Sequence, residues 1–197
     1  MTTPTLQRTA LYDLHQGLGA RLVPFAGWEM PLQYTSILAE ARAVRTAVGL
    51  FDVSHMGRVA VEGPGSAPFP DPVFSFASST LKIGRARYGA ICDEAGGTID
   101  DAIVLRRAQD RFLLVPNASN TPPVLEWLRK WEPGPQRVTI EDLTDEYAMV
   151  AHQGPASVAM VGDLVQVDLA GLRLHGGRDR SRWPPGDAVP DGLHGGG

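Results

Sequence analysis

Three stretches in the middle of the chain alternate apolar and polar residues with a period of two: Arg87–Cys92, Thr98–Arg107 and Arg111–Val115. That period predicts strands, and Gly96-Gly97 after Asp93-Glu94 predicts the hairpin turn between the first two. Val53–Glu62 reads as an earlier strand closed by Gly63-Pro64-Gly65, and Val138–Leu143 and Tyr147–His152 as two later ones. Arg21–Met30 reads as a strand followed by a Gly-Trp turn. A helical period appears over Thr5–Leu18, where Leu6, Ala10, Leu11, Leu14 and Leu18 form a stripe that Gly17 and Gly19 close. Ser36 is placed to cap a helix reaching about Val48, with Gly49 ending it. Pro122 and Pro123 open another over Thr121–Trp131, and Gly154-Pro155-Ala156 begins a last one ending near Leu164. The Pro-, Ser- and Phe-rich stretch Ser66–Ser79 predicts an irregular connection or a short helix interrupted by Pro70 and Pro72. Strands and helices intermingle without strict β-α-β alternation. The expected class is α+β, with mixed or antiparallel sheets and packed helices.

The phase of the alternation singles out one side chain. Counting from the Gly-Gly turn, Ile99, Asp101, Ile103 and Leu105 share a face, so Asp101 interrupts an apolar row expected to be buried. Asp100 falls on the opposite face with Thr98, Ala102, Val104 and Arg106, a set mixed enough to meet water or a neighbouring element. An ionised carboxylate taken out of water is costly unless something pairs with it. Such a group titrates abnormally or holds a ligand, which suits catalysis. The structural alternatives are that Asp101 caps a turn or pairs with an arginine.

Composition narrows the function classes. The chain has 197 residues, 43% of them apolar and 20% charged, enough for one large domain or one and a half small ones. A formal charge of -4 supplies no basic footprint, so nucleic acid is not the expected partner. No apolar run approaches the roughly 20 residues of a membrane-spanning helix. Met1–Thr9 lack a signal peptide's charged start and apolar middle, so a cytoplasmic location is expected. The single cysteine, Cys92, excludes an internal disulfide and reads as a small buried side chain rather than a nucleophile. Five histidines stand without ligand spacing, and no metal is expected.

Several blocks then occur in a familiar order: Phe25-Ala26-Gly27-Trp28-Glu29-Met30-Pro31-Leu32-Gln33-Tyr34, Ala43-Val44-Arg45-Thr46, and Gly49-Leu50-Phe51-Asp52-Val53-Ser54-His55-Met56-Gly57. They continue with Gly96-Gly97-Thr98-Ile99-Asp100-Asp101, Asn117-Ala118-Ser119-Asn120 and Gln153-Gly154-Pro155. Over Leu11 to about Arg173 the chain resembles the glycine cleavage system T-protein family, the tetrahydrofolate-dependent aminomethyltransferases. The resemblance implies that Asp101 is the catalytic acid and that Met56, Tyr88 and Asn117 line a folate pocket. Read without it, Met56 is core packing, Tyr88 a half-buried strand aromatic and Asn117 a turn former. It further implies transfer of a methylene from an aminomethyl group on the lipoyl arm of the H-protein to tetrahydrofolate, with release of ammonia. The implied alternatives are a non-catalytic folate-binding module and the folate domain of a demethylating oxidase. A Lys-Gly-Cys-Tyr-x-Gly-Gln-Glu block typical of one related folate-binding protein has no match here.

Departures from the family pattern carry expectations of their own. Pro116 stands where an apolar strand residue is usual, removing a ladder donor before Asn117 and shifting that side chain. Leu105 stands where an aromatic residue is frequent and thins one wall of the pocket. From about Leu174 glycine, proline and arginine dominate and no apolar period survives, so 174–197 is expected to be an irregular, disordered tail. Back-translated with free third bases and read one nucleotide later, Ala188–Gly196 permits Leu-Ser-Arg-Thr-Gly-Tyr-Thr-Gly-Glu, which resembles the family's next motif. The sequence thus reads as an incomplete folate-binding region over 1–173, with 52–137 as a candidate subdomain. A frame change shortly after Arg173, absence of the family's carboxyl-terminal barrel domain, and weak or no activity are the matching expectations.

Overall fold

The computed structural model describes residues 5–67, 69–134 and 137–166. The expected tail at 174–197, and the frame change placed before it, lie outside those residues. Three antiparallel sheets alternate with short helices, as the α+β reading expects. The order is α1 (Tyr12–Gly17), β1 (Arg21–Phe25), β2 (Trp28–Gln33), α2 (Ile37–Thr46), β3 (Gly49–Asp52), β4 (Val59–Glu62) and β5 (Arg85–Cys92). It continues with β6 (Thr98–Ala108), β7 (Arg111–Val115), α3 (Thr121–Lys130), β8 (Thr139–Asp142), β9 (Val150–Gln153) and α4 (Ser157–Val165).

The principal sheet has five strands in the order β5-β6-β7-β4-β8. One of its faces carries the core: Val59, Val61, Ile91, Ala102, Val104, Phe112 and Leu114 meet Val124, Leu125 and Leu128 of α3 and Phe69, Val73, Phe74 and Leu81 from the connection after β4. That Pro-rich connection is therefore part of the core. Ser75 N donates to Ala90 O at 2.9 Å, which docks the connection along β5, and Asp71 accepts from Ser78 Oγ and Ser79 N at 2.8 Å to close its final 3-10 turn. The β5–β6 turn forms where Gly96-Gly97 predicts it. Asp93 Oδ1 accepts from Ala95 N and Gly97 N at 2.9 and 2.7 Å, and Gly96 takes a positive φ of 84°.

Several sequence expectations are corrected by local chemistry. The first helix is only Tyr12–Gly17 and buries Tyr12 and His15, while Leu14 and Leu18 of the expected apolar stripe face solvent. Arg21–Met30 is a hairpin: the chain reverses at Ala26-Gly27, both with positive φ, and Trp28 already belongs to the returning strand. Val53–Glu62 is not one strand. Asp52 Oδ1 takes the Ser54 amide at 2.9 Å and Met56 N donates to Val53 O at 3.0 Å, which turns the chain out of β3 before β4 begins. Ser36 caps α2 as expected, accepting from Ala39 N at 3.4 Å, but Gly49 opens β3 and Ala47 ends the helix. β3 pairs with β9 in a separate two-stranded sheet.

Candidate functional site

The alternation in β6 is real, but its two faces are exchanged relative to the sequence reading. Asp100, at 3% exposure, lies on the core side with Ala102 and Val104, both at 1% or less. Asp101 stands half-buried on the other face, beside Ile103, which is 45% exposed. Both rows contain apolar residues, and the core side is decided by what packs on it: α3 and the connection after β4 cover the Ala102–Val104 row. Small Ala102 and Val104 admit that close approach, and the larger Ile103 and Leu105 are left on the opposite side.

The register places the candidate residues. Ala90 opposes Asp101 and Tyr88 opposes Ile103, so Tyr88 and Asp101 are diagonal neighbours on one face of the β5–β6 pair. Across that diagonal the Tyr88 hydroxyl donates to Asp101 Oδ2. Tyr88 is 66% exposed, and the expected half-buried aromatic is thus an open one. On the other side, Asn117 Nδ2 lies 3.1 Å from Asp101 Oδ1 and 3.1 Å from Asp101 O. Both carboxylate oxygens are thereby engaged by neutral donors. Among the described residues neither Asp100 nor Asp101 forms an ion pair with lysine or arginine, so the arginine-pairing alternative does not hold.

Asn117 is fixed in turn by the corner it opens. β7 ends at Val115, and the chain passes through Pro116 and Asn117 into a 3-10 turn, Ala118–Asn120, that leads straight into α3. Pro116 consequently lies beyond the strand and removes no donor from it. The Asn117 amide donates to Asp100 Oδ2 at 2.8 Å, while Asp100 Oδ1 accepts from Asn117 Nδ2 at 2.8 Å and Asn120 Nδ2 at 2.7 Å. Three donors compensate the buried carboxylate, which otherwise would be strongly unfavourable.

Met56 reaches this corner through its neighbour. Gly57 N donates to Pro116 O at 3.0 Å, and a Cβ on Gly57 would lie 2.3 Å from Thr121 Oγ1 and 2.7 Å from Pro116 Cγ. Only glycine permits that approach. The turn behind Met56 is held by Arg58, buried to 4% exposure, whose Nη1 donates to Ser54 O and Met56 O at 2.9 and 2.6 Å and whose Nη2 donates to Thr144 O. His55, in the same turn, packs edge-on to Phe25 at 5.5 Å between ring centroids. Burial pushes its imidazole below the ordinary range, aided by Arg58 and opposed by Asp52.

The structure thus brings Tyr88, Asp101 and Asn117 into direct hydrogen-bond contact and ties the turn that holds Met56 to the same corner through Gly57. Cys92, at the end of β5, is half-buried and has no such place in the cluster. Sequence reasoning passed over Asp100 and Arg58. The Asn-x-x-Asn spacing at 117 and 120 is the signal for Asp100, since two amides at a strand-to-helix corner are suited to surrounding one acid. It also passed over a polar chain beneath α1, in which Asp52 Oδ2 accepts from Thr9 Oγ1 at 2.6 Å and meets His15 Nε2 at 2.9 Å, while His15 Nδ1 meets the Tyr34 hydroxyl at 2.7 Å.

Comparison with known proteins adds a lineage to this geometry. Residues 11–178 match the family model described as the GCVT N-terminal domain. The aminomethyltransferases of Geobacillus thermodenitrificans and Bacillus licheniformis are each 44% identical over 168 residues, covering 85% of this chain and 46% of each relative. The crystal structure of the glycine cleavage system aminomethyltransferase T from Bartonella henselae superposes with a TM-score of 0.77 at 38% identity, over 83% of this chain and 44% of that one. The chain spans about half the length of these relatives.

Proposed function

The chain belongs to the GCVT N-terminal domain family, and from that premise we propose that it supplies the reactive acid of a tetrahydrofolate-dependent aminomethyl transfer in glycine cleavage. The observation that carries the reading is the Asp101 carboxylate held between the Tyr88 hydroxyl and the Asn117 amide on a sheet face where Tyr88 and Ile103 are exposed.

In this reaction the carbon–sulfur bond of an aminomethyl group on the lipoyl arm of the H-protein breaks. The methylene is transferred to two nitrogens of tetrahydrofolate, ammonia leaves, and the lipoyl thiol is recovered. The transferred carbon is cation-like as sulfur departs. A fixed carboxylate stabilises that charge or holds the attacking folate nitrogen in its reactive protonation state. Asp101 is the group with that chemistry. Tyr88 and Asn117 hold both of its oxygens, so its orientation is set before substrate arrives. Met56, in the turn that Gly57 ties to this corner, is the fourth residue of the proposed pocket. The lipoylated H-protein and tetrahydrofolate are the partners this reading requires.

Equilibrium titration with tetrahydrofolate tests it. Binding by the parent chain that weakens about tenfold in Asp101→Asn or Asn117→Ala is expected from loss of one hydrogen bond to a charged group. No saturable binding by the parent chain would overturn the reading. Turnover is read separately, as 5,10-methylenetetrahydrofolate formed from aminomethylated H-protein. Any rate is expected to be low and to vanish in Asp101→Asn, because water reaches the Asp101 face and screens its field.

A further inference from the structure

Asp100 does more than fill a gap in the core. It is the inward-facing acid of the β6 pair, and among the described residues each hydrogen bond to its carboxylate comes from the 117–120 corner. The effect on Asn117 is specific. A side-chain amide nitrogen carries two protons. Here Nδ2 lies 2.8 Å from Asp100 Oδ1, and 3.1 Å from both Asp101 O and Asp101 Oδ1. Turning the amide over would set its carbonyl oxygen against two carboxylates and a main-chain carbonyl, an arrangement of acceptors facing acceptors. The network therefore dictates which way the amide faces. Its protons are committed to the acid pair, and among the described residues nothing donates to its carbonyl Oδ1.

We propose that Asp100 is a positioning residue that holds Asn117 turned, so that its amide protons orient Asp101 and its carbonyl is presented to an N–H donor on a heterocyclic ligand docking beside Asp101. The geometry of the pair stands by itself, and the use made of it by a folate-like ligand rests on the proposed function. An acceptor held in this way discriminates strongly, because a ligand lacking the N–H leaves it desolvated and unpaired.

Hydrogen exchange of the Asn117 side-chain amide, followed by NMR on the full chain, reads the arrangement without any ligand. In the parent chain the two Nδ2 protons are expected to exchange at least about tenfold more slowly than a free asparagine amide, as befits donors to a carboxylate. In Asp100→Asn that protection is expected to fall to the free rate while the backbone resonances of β5, β6 and β7 persist. Free-amide exchange in the parent chain, or unchanged protection in a folded Asp100→Asn, overturns the proposal. Should Asp100→Asn fail to fold, Asn120→Ala decides: it removes another of the carboxylate's donors, and Asn117 protection must survive it, its loss being contrary to the proposal.

A double-mutant cycle on tetrahydrofolate binding extends the test to function. Because Asp100 acts through Asn117, Asp100→Asn combined with Asn117→Ala should bind within about twofold of Asn117→Ala alone. Losses that multiply would show an independent structural effect and overturn the positioning role. Absence of binding by the parent chain overturns the proposed function instead, and the exchange measurement then decides the role of Asp100.

Discussion

At the scale of single residues, Asp52 shows how a buried acid becomes dependent on pH. Burial raises its carboxyl, but hydrogen bonds from Ser54, Thr9 and His15 outweigh that and hold it below the ordinary range. A depressed folded value means that the charged form is favoured on folding, so the stabilisation is fully present above the unfolded value of about 3.9. It is lost as pH falls through the lower folded value. Asp52→Asn is therefore expected to reduce stability by about 1–3 kcal/mol at pH 7, and the deficit should shrink as pH falls below about 4. Urea midpoints at neutral and acid pH check this; a deficit of equal size at both would mean that Asp52 acts through packing rather than charge. The same scale shows the limit of reading acids from a strand pattern. Alternation placed Asp100 and Asp101 on opposite faces correctly, yet it could not say which face the core would take, because Ile103 and Val104 are equally acceptable inside.

Between elements, the decisive contacts are short and local. Gly57 joins the turn behind Met56 to the corner that opens α3, at a distance where no Cβ fits. Gly57→Ala is expected to cost about 1–3 kcal/mol as an overpacked position, and to weaken tetrahydrofolate binding by displacing Asn117. A thermal melt with parallel titration checks both, and an unchanged melt would show that the corner yields freely. Leu128 of α3, fully buried against the sheet, is a contrasting position. Leu128→Ala should cost about 2–5 kcal/mol through cavity formation, read as a lower urea midpoint. The periods of β6 and β7 were legible from sequence because each of these strands meets the core on one side. The first helix was overextended because Leu14 and Leu18 keep a helical spacing without a partner to bury them.

Across the whole molecule, burial is uneven. The five-stranded sheet and α3 hold the core, whereas α2 and α4 have no buried residue, and Leu50, Phe51 and Val150 of the β3–β9 pair are exposed. Native-state hydrogen exchange should accordingly be slowest in β4, β6, β7 and α3 and fastest in α2, α4 and the β3–β9 pair. Equal protection throughout would contradict this division. Sequence by itself determined the α+β class, the middle strands, the Gly-Gly turn, the helix capped by Ser36 and the blocks that mark the family, because each is written in local periods, caps and turn chemistry. Only the tertiary structure decided that Asp100 is the buried acid and Asp101 the open one, that the Pro-rich connection belongs to the core, and that Thr9, His15, Tyr34 and Asp52 join. Those facts depend on which distant segments come to lie on each side of a strand, and no spacing along the chain encodes that choice.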